Sequence, residues 1–217
     1  TTLDDICWIL NVRGNDIEFF PLLLSYAVIT MDKMELYIDG TKLDDKIKTA
    51  FAKDNVIIHP YNDIYEDIKK LNHDDVVLLD SGRINYALYN NIPPKVKKVD
   101  ERNPEILFKA VKNNVEIENI RKAQLKDGVA HVRFMKWIKE NVGKIKITEL
   151  SASAKLDEFR EQMGNFIRPS FEPIVAFGQH GAIIHYSATE ETDVEIKPGC
   201  FLLTDTGAGF YEGSTDI

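Results

Sequence analysis

Cysteine is scarce in this chain, with two thiols, Cys7 and Cys200, in 217 residues. They lie far apart in sequence and in apolar settings. That excludes a disulfide-stapled scaffold and predicts two buried free thiols in a reducing cytosol. Long apolar runs are missing as well. No stretch approaches the roughly 20 residues that a membrane-spanning helix needs. The first residues have no basic segment followed by an apolar one, so no secretory signal is read and a cytoplasmic location is expected. Positive charge is in deficit: 27 Lys and Arg against 35 Asp and Glu give a formal charge of −8. A nucleic-acid partner is therefore not expected, because a phosphate backbone must be met by clustered Lys and Arg. Neither an internal repeat nor a low-complexity tract is visible.

What remains is ordinary globular material, with 44% hydrophobic and 29% charged residues. Residues 5–12 are apolar enough to enter an element before the break at Arg13 and Gly14. Tyr26 to Met31 and Met34 to Gly40 are β-rich runs joined by Asp32 and Lys33, which predicts a hairpin. A helix is expected over Leu43–Ala52, a strand over Val56–His59, and a helix over Tyr61–Leu71 whose apolar residues recur at helical spacing. Val76 to Leu79 predicts a buried strand and Ile84 to Tyr89 a short helix, before Pro93 and Pro94 break the chain. Alternating strands and helices point to one α/β domain over 1–104.

Asp100 to Pro104 is polar and proline-broken, so a second domain is expected over 105–217. It opens with a long amphipathic helix from Glu116 to Val142. Its apolar face is drawn through Ile117, Ile120, Leu125, Val129, Val132, Met135, Trp137 and Ile138, and Gly143 is placed to cap its end. A second helix over Leu150–Met163, capped by Thr148, precedes strands over 174–177, 182–186 and 199–203. Helices followed by strands make this half α+β.

The chemistry concentrates in the last residues. The apolar run Phe201, Leu202, Leu203 ends on Asp205, a turn punctuated by Gly207, Gly209 and Gly213 follows, and Asp216 arrives after it. Apolar runs of this kind read as buried strands, and two strands meeting at such a turn can set Asp205 and Asp216 side by side. Paired carboxylates suit hard divalent cations. The same residues also serve a solvated hairpin, since Asp and Gly dominate turns for local reasons. Asp205-Thr-Gly, with Asp80-Ser-Gly as a partner, has the local form of an aspartic-protease loop. The long helix between the two loops does not suit that nearly all-β bilobal fold.

The segment from Asp205 to Asp216 resembles the first metal-ligand motif of the pita-bread metallopeptidases, in the aminopeptidase P branch. Gly181-Ala-Ile-Ile-His185-Tyr186 is similar to another stretch of that family, and Leu3-Asp-Asp-Ile-Cys-Trp8-Ile-Leu-Asn11-Val-Arg13-Gly14-Asn-Asp16 to a third. The resemblance spans essentially the whole chain. It implies a middle, creatinase-N-like α/β domain over 1–104, then the first half of an α+β pita-bread catalytic domain over 105–217. An internal fragment is thus expected: another domain would precede residue 1, and more than half of the catalytic domain would follow Ile217.

The resemblance further implies an enzyme, a metal-dependent aminopeptidase that releases the N-terminal residue from peptides with proline at the second position. Asp205 would chelate one divalent ion and Asp216 would bridge two, manganese by resemblance, which would activate a shared hydroxide. His185 would line the substrate pocket and help hold the tetrahedral intermediate; without that context, a strand histidine reads as a packed, hydrogen-bonded residue. The other ligands would lie beyond Ile217, so the fragment is expected to be inactive and to bind metal weakly. A homodimer is implied for the full-length enzyme.

His180 reads as a surface residue, and His59, His73 and His131 as structural or exposed. Arg13 reads as ordering the first domain with Asp16, and Trp8 as core. The competing functions are a prolidase that cuts dipeptides and a non-catalytic pita-bread protein that binds peptides. Creatinase shares the fold without needing metal, and the two aspartates count against it.

Overall fold

A computed structural model describes residues 2–217. The chain divides into two compact units, 1–111 and 112–217.

In the first unit, helix α1 (Leu3–Leu10) starts from a Thr2 and Asp5 capping box and ends at Asn11 in the left-handed conformation. Strands β1 (Ser25–Ile29) and β2 (Met34–Ile38) form the expected antiparallel hairpin. Helix α2 (Asp45–Lys53), capped by the Asp44 carboxylate, leads to β3 (Val56–His59), which pairs in parallel with β2. Residues 61–70 form one helical stretch of mixed pitch in which only α3 (Ile64–Asp67) is α-helical. Strand β4 (Val76–Leu79), helix α4 (Tyr86–Asn91) and strand β5 (Lys97–Asp100) follow, with β4 and β5 parallel. Helix α5 (Glu105–Ala110) packs on α1.

Strand β2 shows why this unit is layered. Met34, Leu36 and Ile38 pack with Ile6, Phe51 and Val56 in one core, while Tyr37 joins Ile64, Leu79 and Leu88 in another. Successive residues of a strand face opposite sides, so one strand feeds two cores. Strand β4 differs from the buried strand that its apolar run predicts. Val76 and Leu78 are 60% and 47% exposed and only Leu79 is buried, because a two-stranded sheet covers one face only. Asp16 accepts from Leu24 N–H and pairs with Lys42 at 2.7 Å. Its partner is therefore Lys42 and not Arg13.

The second unit opens on α6 (Asn114–Asn141), whose Asn113 cap and Glu116 form a reciprocal capping box. Gly143 follows it at φ 77°, as a C-terminal glycine should. The buried stripe of α6 is Ala123, Asp127, Ala130 and Phe134; of the face that hydrophobicity suggests, Trp137 and Ile138 pack partly buried against the core. Leu125, Val132 and Met135 are 70%, 65% and 47% exposed. Two alanines let neighbouring elements approach closely, and apolar residues occur on more than one side of the helix. Helix α7 (Glu149–Glu161), capped by Thr148, packs on α6.

Strand β6 (Phe166–Pro169) was not foreseen; it pairs antiparallel with β9 (Ala208–Phe210), which also pairs with β10 (Gly213–Ser214). Strands β7 (Ile174–Phe177) and β8 (Leu202–Asp205) form a second antiparallel pair. The strand expected over 182–186 does not form. A 3₁₀ turn spans Gly178–Ala182, Ile184 is 86% exposed, and His185 takes a left-handed φ of 55°. Phe201 and Cys200 are likewise exposed and Leu203 is 46% exposed, whereas Cys7 is buried. Both thiols are free.

Candidate metal centre

Asp205 ends β8, and the backbone that follows runs beside the last residues of the chain. Thr206 and Ile217 exchange both of their amide hydrogen bonds, at 2.9 and 2.8 Å, and Thr215 N–H reaches Ala208 C=O at 2.9 Å. Those bonds fix an antiparallel register in which Gly207 lies opposite Asp216. Side chains directly opposite share a face, and alternate residues return to it. Asp205, Gly207 and Asp216 therefore lie on one face, with the two aspartates as diagonal neighbours. Thr206, Ala208 and Thr215 occupy the other face and are buried.

Both aspartates are exposed, and neither carboxylate has a hydrogen bond or ion pair among the described residues. Between them only glycine fits. A Cβ on Gly207 would stand 2.1 Å from Ser170 Oγ and 2.3 Å from Thr215 C=O. The face thus presents two unneutralised carboxylates, the oxygen donors that Mg²⁺, Mn²⁺ or Ca²⁺ prefer. Two such groups are part of a donor set. Among the described residues, no cluster of three or more His, Cys, Asp and Glu completes it.

Behind this face sits a polar network that sequence reasoning missed. Arg160 on α7 is 1% exposed and Asp127 on α6 is fully buried. The guanidinium donates to both carboxylate oxygens, from Nε at 2.8 Å and Nη2 at 3.3 Å. Nη2 also donates to Thr206 Oγ1 at 3.0 Å, and Nη1 to Asp157 at 3.2 Å. Thr215 Oγ1 donates to Asp127 Oδ2 and accepts from Ala208 N–H. Burial pushes the Asp157 carboxyl above its ordinary range, with Arg160 pulling the other way. The signal for Asp127 was its spacing: it falls on the same helical face as Ala123, Ala130 and Phe134.

A second cluster surrounds the fully buried Glu149, the first residue of α7. Its carboxylate accepts from Phe177 N–H at 2.6 Å, Tyr186 Oη at 2.9 Å and the His180 ring at 3.0 Å. His180 is therefore a half-buried, paired residue and not the surface histidine expected. Its ring also lies 4.5 Å from that of Tyr186. Burial raises the Tyr186 phenol, and the neighbouring Glu149 adds to the rise. His185, the predicted catalytic residue, is exposed and makes no hydrogen bond among the described residues. Among the other histidines, His59 stacks on Tyr37 and pairs with Glu35, whereas His131 leaves Nδ1 buried without a partner.

Residues 1–116 match the Creatinase/Prolidase N-terminal domain, and residues 118–217 match Metallopeptidase family M24. A probable Xaa-Pro aminopeptidase P of Sordaria macrospora is 36% identical over 99% of this chain, which spans 37% of that protein. Xaa-Pro aminopeptidase 1 of Dictyostelium discoideum is 36% identical over the whole chain, which spans 35% of it. An X-prolyl aminopeptidase of Caenorhabditis elegans, described as a cytosolic enzyme with a di-nuclear active site, superposes at a TM-score of 0.91. The two are 31% identical, over 99% of this chain and 36% of that one. An Xaa-Pro dipeptidase of Bacillus anthracis, 18% identical over 100% of this chain and 57% of its own, shares the fold at 0.73. No helix among the described residues is long and apolar enough to cross a membrane.

Proposed function

The chain belongs to the creatinase/prolidase N-terminal domain family, continued by part of an M24 metallopeptidase domain, and we propose that the whole protein is an Xaa-Pro aminopeptidase. The observation that carries this reading is the shared face of Asp205 and Asp216: two exposed carboxylates without partners, held in register by the Thr206 and Ile217 amide pair.

In this reading the carboxylates of Asp205 and Asp216 would hold the divalent metal, Asp205 one ion and Asp216 both, and Mn²⁺ would be the metal. Such a pair of ions supplies Lewis-acid polarisation of a carbonyl and a water made nucleophilic near neutral pH. The remaining donors come from outside these 217 residues. Gly207, lacking a Cβ, lets Ser170, Phe171 and the Thr215 carbonyl pack closely against this face.

His185 offers an imidazole with no competing hydrogen bond, on the segment that follows the Gly178–Ala182 turn. That turn packs on β7 and β8, the strand that carries Asp205. There the ring would donate to the oxygen that gains charge as the peptide bond is attacked. The substrate is a peptide with proline at its second position, the location cytosolic, and the assembly a homodimer.

The test is hydrolysis of Arg-Pro-Pro and Arg-Pro by the whole protein, with and without Mn²⁺, for wild type and Asp216→Asn. Metal-dependent cleavage of the tripeptide, lost in the variant, is the expected result. Preference for the dipeptide would make the protein a prolidase. Turnover of neither by folded protein would leave a peptide-binding module.

A further inference from the structure

Thr206 and Thr215 immediately neighbour Asp205 and Asp216, and both turn inward onto the same buried ion pair. Thr206 Oγ1 accepts from Arg160 Nη2 at 3.0 Å. Thr215 Oγ1 donates to Asp127 Oδ2. Because strand side chains alternate between faces, what grips the inward threonines also aims the outward aspartates. We infer that Asp127 and Arg160 are positioning residues for the proposed metal centre, clamping the two aspartate-bearing segments at a fixed separation from behind. The inference rests on the reading of Asp205 and Asp216 as ligands.

Three observations support a positioning role. First, a buried ion pair is a poor source of stability, since desolvating both charges offsets most of their attraction. Asp127 is fully buried in an α6 stripe otherwise made of Ala123, Ala130 and Phe134, and Arg160 is nearly as buried on α7. Second, the network bonds to both segments and not to one. Arg160 holds the segment leaving β8, and Asp127 holds the final residues. Third, the pair comes from two different helices, α6 and α7, which pack on each other. Rigid elements hold a constellation more accurately than loops do, and the carboxylates sit on short segments that the helices can register. Groups that orient metal ligands in this way typically change metal affinity or activity about 10–100-fold when removed.

The experiment measures Mn²⁺ affinity by calorimetry on the whole protein, together with amide hydrogen exchange at Thr206, Ala208 and Ile217 in the metal-free state. The proteins compared are wild type, Asp216→Asn, Thr215→Val, Thr215→Ser and Asp127→Asn. Thr215→Val removes the hydroxyl at nearly constant shape, and Thr215→Ser keeps it.

The expected result is a loss of about 10–100-fold in affinity for Thr215→Val and Asp127→Asn, faster exchange at Thr206 and Ile217, and recovery of both in Thr215→Ser. Thr206→Val replaces Thr215→Val if the latter fails to fold. Unchanged Mn²⁺ affinity in folded Thr215→Val and Asp127→Asn, with Asp216→Asn impaired, would overturn the positioning role alone, even if their melting temperatures fall. A wild-type protein that binds no Mn²⁺, or an Asp216→Asn variant that binds as well as wild type, would overturn the ligand assignment and the clamp with it.

Discussion

Replacing Arg160 by Met should be among the most destabilising single substitutions in residues 112–217. The guanidinium is 1% exposed and makes four hydrogen bonds, two to Asp127 and one each to Thr206 and Asp157. Methionine fills much of the volume but leaves the fully buried Asp127 carboxylate with Thr215 as its one remaining partner. Removing one member of a buried ion pair costs about 3–5 kcal/mol, because the other charge stays buried without compensation. Removing both charges together, as Arg160→Met with Asp127→Leu, should cost less. It leaves no fully buried charge unpaired: Thr206 Oγ1 and the part-exposed Asp157 lose their Arg160 bonds, while Thr215 Oγ1 keeps its bond from Ala208 N–H. Urea unfolding should be followed by Trp137 fluorescence in a Trp8→Phe background, so that the signal reports residues 112–217 alone. A single variant that loses under about 1 kcal/mol, the level of an exposed pair, would refute this reasoning. So would a double variant less stable than the single one.

Other consequences are equally concrete. Burial lowers the pKa of His131 from its ordinary value of about 6.5, so near that pH the unfolded chain binds more protons than the folded one. Stability of residues 112–217 is therefore complete above about pH 6.5 and falls as pH drops below it. His131→Phe should flatten that part of a urea-midpoint profile, and an unchanged slope would count against the assignment. Gly207→Ala forces a Cβ against Ser170 Oγ and the Thr215 carbonyl. It should cost about 1–3 kcal/mol as overpacking and abolish Mn²⁺ binding by the whole protein. Phe134→Ala, in a core with Leu156, Val175 and Ile196, should cost about 3–5 kcal/mol in urea unfolding.

The local parts of this fold were legible in the sequence. The hairpin over 26–40 showed in β-rich runs around Asp32 and Lys33, and α7 in its Thr148 cap, because turn and cap signals are carried by adjacent residues. Side-chain orientation was less legible. Helix α6 carries apolar residues on several sides, so hydrophobicity alone chose Leu125 and Val132, whereas packing buries Ala123, Asp127 and Ala130. The segment 182–186 reads as a strand by composition, but no neighbouring strand pairs with it among the described residues, and β-propensity without a partner does not make a strand. At the site, Asp205 and Asp216 stood out through their glycine-rich turn. Asp127, Arg160 and Glu149 did not, because their partners are distant in sequence and only the tertiary fold brings them together.

The proposed activity depends on metal held at Asp205 and Asp216. The most direct measurement is anomalous diffraction from crystals of the whole protein soaked in Mn²⁺. Two peaks about 3.5–4 Å apart are expected, one touching the Asp205 carboxylate and both touching that of Asp216. Peaks absent from that face, or ligated without either aspartate, would contradict that placement.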